Sequence, residues 1–477
     1  MLGKNMLSMS GLSLYRNAIQ FGMNIAIAAF VTPADYGLVV FTTPFVVLIA
    51  MLTDLGMTSA ITRAPTLSRD EAGAAFGAMV LGGIGCAALL AIVAYPLQFA
   101  IGMNGLAPVM MGMAVVVILS VTAATPRAML ERQLRYGRIA AIEAAAIAIA
   151  AVIGLTVAWH GGGVWSLVVY NLVNHLLRAG AFGWLTRETL TPNLRLRQLG
   201  RLLSFGGWVL ATNLLNFLAR NSDNLLVGAW LGASMVGLYG LAYQFMLAPL
   251  MAITWPTSGI LLATLRDQDP HGPETRAMVA SVLSATAMIT MPTMTFLTFG
   301  LAFPVHALLS PRWAVVPAIV AWLAPLGAIQ SIASYNGTLL MVAGKARAQF
   351  LLTIVNTLLL VATFVLSLPF GLLALVKAYA VVITLLSLAF IWMTVALTGL
   401  GWGALLRALG PAISGTAVAL GVVGATVGLA PVSWPGWIAA AGIYAACVLA
   451  VYVALGAHVR RTIAVLTAPR PTLATDR

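Results

Sequence analysis

The sequence has few charged residues, and acidic residues are especially rare. Of its 477 residues, 8% are charged and 12 are Asp or Glu. A soluble domain carries about 25% charged residues, so this composition excludes an ordinary soluble protein. The hydrophobic share of 61% instead predicts a chain that crosses a bilayer many times. Helices are expected, because a helix satisfies its own backbone hydrogen bonds in lipid.

Cysteine is nearly absent, and the common motifs of enzyme active sites are missing. The two cysteines, Cys86 and Cys447, fall within apolar stretches, which argues against a disulfide framework or a cysteine-ligated metal. The five histidines are scattered, and there is no HExxH motif and no phosphate-binding loop. We therefore expect no catalytic residues, no metal and no cofactor, and no ATP hydrolysis by this chain.

Apolar stretches of membrane-span length recur along the whole chain. A helix needs about 20 residues to cross the hydrocarbon layer. The first stretch is long enough to span, so we expect it to stay in the protein and not to be removed as a signal peptide. The pattern predicts 14 spans, over residues 11–31, 36–60, 73–98, 107–126, 139–159, 164–184, 204–230, 234–262, 276–302, 313–342, 350–368, 371–396, 408–429 and 436–456.

The basic residues lie almost entirely on one side of this arrangement. Of the 25 Lys and Arg, 20 fall in loops or tails on one side, and Arg312 alone falls on the other; Arg16, Arg178, Arg220 and Lys377 lie within spans. Loops rich in Lys and Arg stay in the cytoplasm, so both termini are predicted to be cytoplasmic. The net charge of +13 is then a topology signal with some contact to membrane lipids, and it does not indicate nucleic-acid binding.

The chain contains an internal repeat with an offset of 200 residues. Residues 32–42 align with 232–242, so that Gly37 matches Gly237, and residues 163–170 resemble 371–378. Six spans separate the copies, so both insert in the same direction, as in transporters whose halves are related by an axis along the membrane normal. The predicted fold is an all-α polytopic membrane protein of about 14 transmembrane helices. It has two pseudo-symmetric six-helix lobes around a central cavity and an extra C-terminal helix pair.

These features divide the chain into five predicted segments. They are an N-terminal lobe (1–186), a cytoplasmic linker (187–203), a C-terminal lobe (204–398), an additional helix pair (399–456) and a basic cytoplasmic tail (457–477). Residues 194–203 place arginines on one helical face and leucines on another, which favours a basic amphipathic helix at the membrane surface. The alternative is an ordinary loop whose charge only sets the topology.

Polar residues within the seventh span mark a candidate cavity face. Their spacings of three, four and seven place them on one side of a helix: Asn213, Asn216, Arg220, Asp223 and Asn224. Arg220 lies about 16 Å from the end of the span, near the bilayer centre. A charge at that depth is expensive in lipid and is a functional candidate by default. The alternative is an ion pair between Arg220 and Asp223 that only fixes packing.

The offset of 200 repeats this stripe on the first span, where Arg16, Gln20 and Asn24 correspond to Asn216, Arg220 and Asn224. Guanidinium groups bind phosphate oxygens bidentately and amides suit sugar hydroxyls, so a substrate with a phosphate and a polar body is expected. Asp54 and Glu143 are candidates for ion coupling or gating, or for simple pairing near the cytoplasmic ends of their helices. The predicted substrate-binding residues are Arg16, Gln20, Asn24, Asn216, Arg220, Asp223, Asn224 and Lys377.

Five stretches, in order along the chain, carry a resemblance to a known family: VTPADYG (31–37), DLGMTSAITR (54–63), LERQLRYGRIAAIEAA (130–145), GGGVWSLVVYNL (161–172) and RNSDNLLVGAWLGASMVGLYGLAYQ (220–244). They resemble the polysaccharide transporter family, the Wzx-type flippases of the multidrug/oligosaccharidyl-lipid/polysaccharide exporter superfamily. The resemblance implies a two-lobed bundle that moves undecaprenyl-pyrophosphate-linked oligosaccharide across the bacterial inner membrane by alternating access. It also implies a role in exopolysaccharide, O-antigen or capsule synthesis, beside a polysaccharide polymerase and other assembly proteins.

Other functions remain open at this point. A drug or cation antiporter of the same superfamily would use acidic groups in the cavity, and Asp54, Glu143 and Asp223 are available. A lipid II flippase is a second alternative. A glycan polymerase or ligase is disfavoured, because such an enzyme would be expected to present a large charged external loop, whereas the longest one predicted here covers only about residues 303–312.

Single-cysteine labelling of intact spheroplasts tests the predicted topology, in a background that lacks Cys86 and Cys447. Gly162→Cys, Gly232→Cys and Ser433→Cys should react with an impermeant thiol reagent, because their loops are predicted to lie outside. Arg135→Cys and Arg197→Cys should stay unlabelled until the membrane is permeabilised. The reverse pattern would contradict the orientation and the direction of transport that depends on it.

Overall fold

The chain is described by a computed structural model over residues 18–64, 66–195, 199–266 and 268–467, with the side chains of residues 200–209, 211, 212, 215, 219, 255 and 467 excepted. In these ranges all regular secondary structure is helical. The α-helices are α1 (Ala18–Ala28), α2 (Pro33–Asp54), α3 (Met57–Arg63), α4 (Arg69–Ile101), α5 (Leu106–Arg132), α6 (Tyr136–Trp159), α7 (Trp165–Thr186), α8 (Gly200–Leu231), α9 (Ala233–Pro249), α10 (Trp255–Leu265), α11 (Pro273–Gly300), α12 (Ala302–Leu308), α13 (Val316–Ala333), α14 (Tyr335–Val342), α15 (Ala346–Ser367), α16 (Leu372–Thr398), α17 (Trp402–Thr426), α18 (Trp434–Ala454) and α19 (Gly456–Thr467).

Each predicted span overlaps a helix or a pair of consecutive helices. Within the described residues, 11 helical stretches are long and apolar enough to cross a membrane. The other three predicted spans correspond to α1, which begins at the edge of the described chain, and to the polar-rich α7 and α8. The all-helical, multi-span architecture is therefore confirmed, while the number of 14 crossings stays a prediction.

Several boundaries differ from the predicted ones. The helix α5 continues to Arg132, beyond the predicted end at residue 126, and so carries Arg127 within its last two turns. The eighth predicted span is interrupted by a π-helical turn over Leu250–Thr254, between α9 and α10. The tenth is interrupted at Ser334, between α13 and α14. Apolar periodicity marks where a span lies, but it does not register such local changes of hydrogen bonding.

The predicted linker is a loop over residues 190–195 and helical from Gly200, where α8 begins, so the amphipathic helix over residues 194–203 stays a prediction. Residues 190–195 have no helical structure, residues 196–198 lie outside the described chain, and α8 begins at Gly200. The loop packs directly against α4, where the Asn193 N–H donates to the Gly73 carbonyl at 3.2 Å. The Thr191 carbonyl oxygen lies 1.9 Å from where a Cβ on Gly73 would be. This backbone contact with α4 takes the place of helical hydrogen bonding.

The described chain packs as two compact units. The first comprises α1 to α8, the start of α9, residues 309–313 and residues 361–375; the second comprises the remainder from Ala242 onward. In the first unit, α5 packs against α4 and α7, and α6 packs against α7. In the second unit, α11 packs against α13 and α17, and α17 packs against α18. The predicted lobe boundaries at 186 and 204 remain predictions.

Within the first unit, the beginnings of α2 and α9 cross in backbone contact. A Cβ on Gly37 would lie 1.8 Å from the carbonyl oxygen of Ala233, and a Cβ on Gly237 would lie 1.9 Å from the carbonyl oxygen of Pro33. The two contacts are related by the offset of 200 residues, so the crossing has two-fold symmetry. Only residues without a side chain allow helices to approach this closely, which explains why the repeat carries a glycine at both positions.

This crossing predicts that Gly37→Ala destabilises the protein. The new methyl group would meet backbone atoms, which cannot rotate away, so the free energy of unfolding should fall by about 1–3 kcal/mol. Gly85→Ala on α4 is the matched control. Nothing lies within 4 Å of a Cβ there, and Ala is the better helix former by about 1 kcal/mol. The measurement is thermal unfolding of both purified variants in detergent; a Gly37→Ala protein as stable as Gly85→Ala would contradict the packing.

Candidate functional site

The polar face of α8 is partly exposed and partly buried. Asn213, Asn216 and Arg220 are exposed, Asn224 is half-buried, and Asp223 is buried, with 5% of its surface exposed. The helix spans Gly200–Leu231, which keeps Arg220 about 16 Å from its end. An exposed guanidinium at that depth must face water or polar partners, because lipid would not tolerate it. This stripe is the candidate site.

The buried carboxylate of Asp223 joins α8 to α9. The hydroxyl of Tyr239 donates to Asp223 Oδ2 at 2.9 Å, and the backbone N–H of Asn224 donates to Asp223 Oδ1 at 2.7 Å. Tyr239 has no exposed surface. These contacts give Asp223 a role in packing, and sequence reasoning missed Tyr239 because the two residues are 16 positions apart on different helices.

The amide of Asn224 is a second notable group on this face. Its Oδ1 atom is buried and accepts no hydrogen bond from the residues that the structure describes. A buried amide oxygen needs a hydrogen-bond donor, so this atom can accept from water or from a polar group that reaches the face of α8. Of the corresponding residues on the first span, Asn24 is half-buried and Gln20 is exposed, and Arg16 lies outside the described residues.

Lys377 lies in the second unit, at the edge of a pocket between α13 and α16. Its side chain is exposed, and Nζ lies 5.5 Å from the centre of the Trp322 ring. Trp322 lines a pocket of about 540 Å³ together with Pro325, Val381 and Thr384. Lys377 precedes Val381 by four residues and so points to the same face of α16. A cation beside an exposed aromatic face can hold an anion and a sugar ring together, and Trp322 was not singled out from the sequence.

Asp54 caps a short helix. It ends α2, and the next two residues adopt left-handed conformations, Leu55 with φ 48° and Gly56 with φ 72°. The Asp54 carboxylate then accepts hydrogen bonds from the backbone N–H of Thr58, at 3.1 Å, and from the Thr58 hydroxyl. An acidic group at a helix N-terminus is favoured by the helix dipole, so α3 provides a structural reason for this residue.

Glu143 forms the centre of an ion cluster at the ends of α5, α6 and α7. Its Oε1 atom accepts from Arg127 Nε at 3.0 Å and from Arg178 Nη2 at 2.9 Å, and only 6% of the Glu143 side chain is exposed. Arg127 also contacts Glu131 at 2.8 Å. Pairing was one of the two roles considered for Glu143 from the sequence, and Arg178 is one of its partners. The second arginine was missed, because the predicted fourth span ended one residue before Arg127.

The candidate residues thus fall into groups. Asp223 and Asn224 meet Tyr239 in the first unit, and Lys377 meets Trp322 in the second. Asp54 and Glu143 are engaged elsewhere in the first unit. Among the described residues, no three His, Cys, Asp or Glu side chains come close enough together to hold a metal ion.

Many apolar helices of span length, two of them crossing at Gly37 and Gly237, define a class, the multi-span helical membrane proteins. The fold is that of a solved structure of the lipid II flippase MurJ in an inward closed conformation. The TM-score is 0.75, and the match covers 94% of this chain and 99% of that chain at 12% sequence identity. At this identity the likeness establishes the fold alone.

The particular family follows from the sequence. A family model described as "Polysaccharide biosynthesis protein" matches residues 26–318, which is more than half of the chain. The chain belongs to this polysaccharide biosynthesis protein family. The resemblance noted in the five motifs is thereby confirmed.

Curated relatives agree with this assignment. The chain is 24% identical over 245 residues to the lipopolysaccharide biosynthesis protein WzxC of Escherichia coli K12, a match over 50% of this chain and 49% of WzxC. It is 23% identical over 289 residues to the succinoglycan biosynthesis transport protein ExoT of Rhizobium meliloti, over 60% of this chain and 58% of ExoT. The chain therefore spans about half the length of the curated relatives that it matches.

The ion cluster predicts that Glu143→Gln is destabilising. The change removes the carboxylate that neutralises two arginines, and breaking a fully buried ion pair costs several kcal/mol. Both arginines are partly exposed, so we expect the free energy of unfolding to fall by about 2–3 kcal/mol. Glu131→Gln is the matched control, since it removes a more exposed partner of the same Arg127 and should cost less than about 1 kcal/mol. Thermal unfolding in detergent measures both; equal losses would show that the cluster is not centred on Glu143.

Proposed function

We propose that this chain is a flippase that moves undecaprenyl-pyrophosphate-linked oligosaccharide across the bacterial inner membrane by alternating access, for the synthesis of a surface polysaccharide. One observation carries the proposal: a chain of the polysaccharide biosynthesis family exposes Arg220, flanked by Asn213 and Asn216, at mid-membrane depth on α8. The names of the relatives, which speak of lipopolysaccharide biosynthesis and succinoglycan transport, point to the same class of cargo.

The chemistry of the stripe suits such a cargo. A guanidinium offers a planar fork of donors that matches phosphate oxygens, and it keeps its charge in a partly desolvated site. Asparagine amides donate to and accept from sugar hydroxyls. Lys377 beside Trp322 offers a second cation with an aromatic face. We place the protein in the inner membrane with cytoplasmic termini, beside a polysaccharide polymerase and other assembly proteins.

The antiporter alternative is less well supported by the acidic residues. A cation antiporter needs a carboxylate that can exchange partners in the transport path. Glu143 is held by two arginines, Asp54 caps α3, and Asp223 is buried against Tyr239. Each of these carboxylates therefore already has a structural partner, and we assign none of them to ion coupling.

Alternating access requires contacts that close one side and then break. The crossing of Gly37 and Gly237 fits this role, because it joins the second spans of the two sequence repeats mainly through backbone contact, with Val40 packed on Gly240 beside it. By the predicted topology these residues lie at the outer ends of their helices. We propose that this crossing separates when cargo is released outward.

The role of Arg220 is tested by substitution. Arg220→Ala should abolish export of the polysaccharide while membrane levels of the protein stay near normal, because an exposed side chain contributes little to packing. Arg220→Lys should also be impaired, since lysine replaces the fork by a point charge. Arg407→Ala, at an exposed arginine of α17, is the control and should export normally. Surface polysaccharide and membrane protein are measured in the same cells.

A double substitution separates this role from a structural one. If Arg220→Ala combined with Asp223→Ala restores full export, the two residues act as a structural pair and the assignment of Arg220 to cargo binding fails. Continued loss of export in the double variant, with the protein still present in the membrane, is the expected result.

The driving force gives a further prediction. A pyrophosphate-bearing cargo carries negative charge outward, and a membrane potential that is negative inside favours this by about 2.3 kcal/mol per charge per 100 mV. In liposomes with lipid-linked oligosaccharide and a potassium diffusion potential, flipping should follow the sign of the potential without a proton or sodium gradient. Flipping that does not depend on the potential but follows an ion gradient would contradict this prediction. It would make Asp54 and Glu143 the candidates for ion coupling.

A further inference from the structure

The second unit contains an apolar groove that involves none of the candidate cargo-binding residues. It has a volume of about 690 Å³ and lies between α11, α18 and α19. Its lining includes Ile289, Leu449 and Ile463, whose surfaces are 52%, 61% and 53% exposed. More than half of each of these large side chains is therefore accessible from outside, so the groove is open at the protein surface. A hydrocarbon chain can enter it sideways from the bilayer.

Three of the four hydroxyl groups in the lining donate hydrogen bonds to backbone carbonyl groups. The Tyr452 hydroxyl donates to the Met288 carbonyl at 2.6 Å. In a regular helix this carbonyl would accept from the N–H of residue 292, but Pro292 has no N–H to donate. The Tyr444 hydroxyl donates to the Pro292 carbonyl at 3.1 Å, and the Thr293 hydroxyl donates to the Ile289 carbonyl at 2.7 Å. The groove therefore presents hydrocarbon to its occupant.

One wall of the groove is the amphipathic helix α19. Val459, Ile463 and Leu466 line the groove from one face of this helix, while Arg460 and Arg461 are exposed on its other faces. The segment Gly456–Thr467 contains no acidic residue. His458 Nε2 lies 3.3 Å from Ser284 Oγ on α11, which fixes the start of α19 against the groove. A basic amphipathic helix of this kind lies in the membrane interface, with its charges at the level of the lipid headgroups.

We propose that this groove is a binding site for an anionic phospholipid of the surrounding bilayer, with an acyl chain in the groove and the phosphate against Arg460 and Arg461. The charges on the helix are complementary to an anionic headgroup, and a net neutral lipid would gain nothing from them. We commit to a phospholipid and not to the cargo lipid, because α18 and α19 have no counterpart in the internal repeat and so lie outside the repeated transport core. This proposal is independent of the proposed function.

The test is lipid-dependent thermal stabilisation of the full-length protein in detergent, with phosphatidylglycerol and phosphatidylcholine of identical acyl chains. Phosphatidylglycerol should raise the unfolding temperature at lower concentration than phosphatidylcholine. Arg460→Ala with Arg461→Ala should weaken the apparent affinity for phosphatidylglycerol about 30-fold, since each arginine near an anionic headgroup contributes about fivefold. The response to phosphatidylcholine should not change. Ala445→Trp, which fills the groove, should reduce the response to both lipids.

Two controls keep the result specific. Arg347→Ala with Arg407→Ala removes two exposed arginines on α15 and α17 that do not line the groove, and should leave the preference for phosphatidylglycerol intact. Arg460→Lys with Arg461→Lys keeps both charges on α19 and should preserve most of that preference. Equal stabilisation by both lipids in the wild-type protein would overturn the proposal, as would selectivity that survives loss of both arginines. Displacement of phosphatidylglycerol from the groove by stoichiometric undecaprenyl pyrophosphate would identify the site as one for cargo and would also overturn it.

Discussion

The backbone contact between Gly37 and Gly237 is the constraint on which the first unit depends. Two helices touch there through carbonyl groups, so glycine sets their distance and angle while the crossing is closed. The contact continues along α2, where Phe41 packs on Gly228 of α8 and Val40 packs on Gly240 of α9. Through these contacts the polar face of α8 is held at a defined depth and orientation.

The acidic and basic side chains differ in their exposure. The buried carboxylates, Glu143 and Asp223, are each held by specific donors, as a low-dielectric interior demands. The cationic groups Arg220 and Lys377 are exposed within helices of span length. A protein that holds its buried acids by hydrogen bonds or ion pairs and exposes its cations offers a surface suited to an anionic ligand.

Composition and hydrophobic periodicity were enough to predict the helical spans and the repeat. They were not enough to predict contacts between residues that lie far apart in the sequence. Each span predicted from hydropathy overlaps an observed helix, and the matched glycines of the repeat predicted a symmetric relation that the crossing displays. The partners Arg127 for Glu143 and Tyr239 for Asp223 could not be predicted, because no local pattern links residues on different helices. The contact of the linker loop with α4 could not be predicted either, because helical periodicity does not reveal how Thr191 and Asn193 fit against Gly73.

The central claim is that the crossing of α2 and α9 must open during transport, and a disulfide across it tests this most directly. A Cβ on residue 240 would lie 3.5 Å from the Val40 Cβ, within the range of disulfides. Val40→Cys with Gly240→Cys, in a protein without Cys86 and Cys447, should form this bond under oxidation. Flipping in liposomes should then stop and should return when the bond is reduced, while either single variant should be unaffected by oxidant. Full flipping by the oxidised, cross-linked protein would contradict the account.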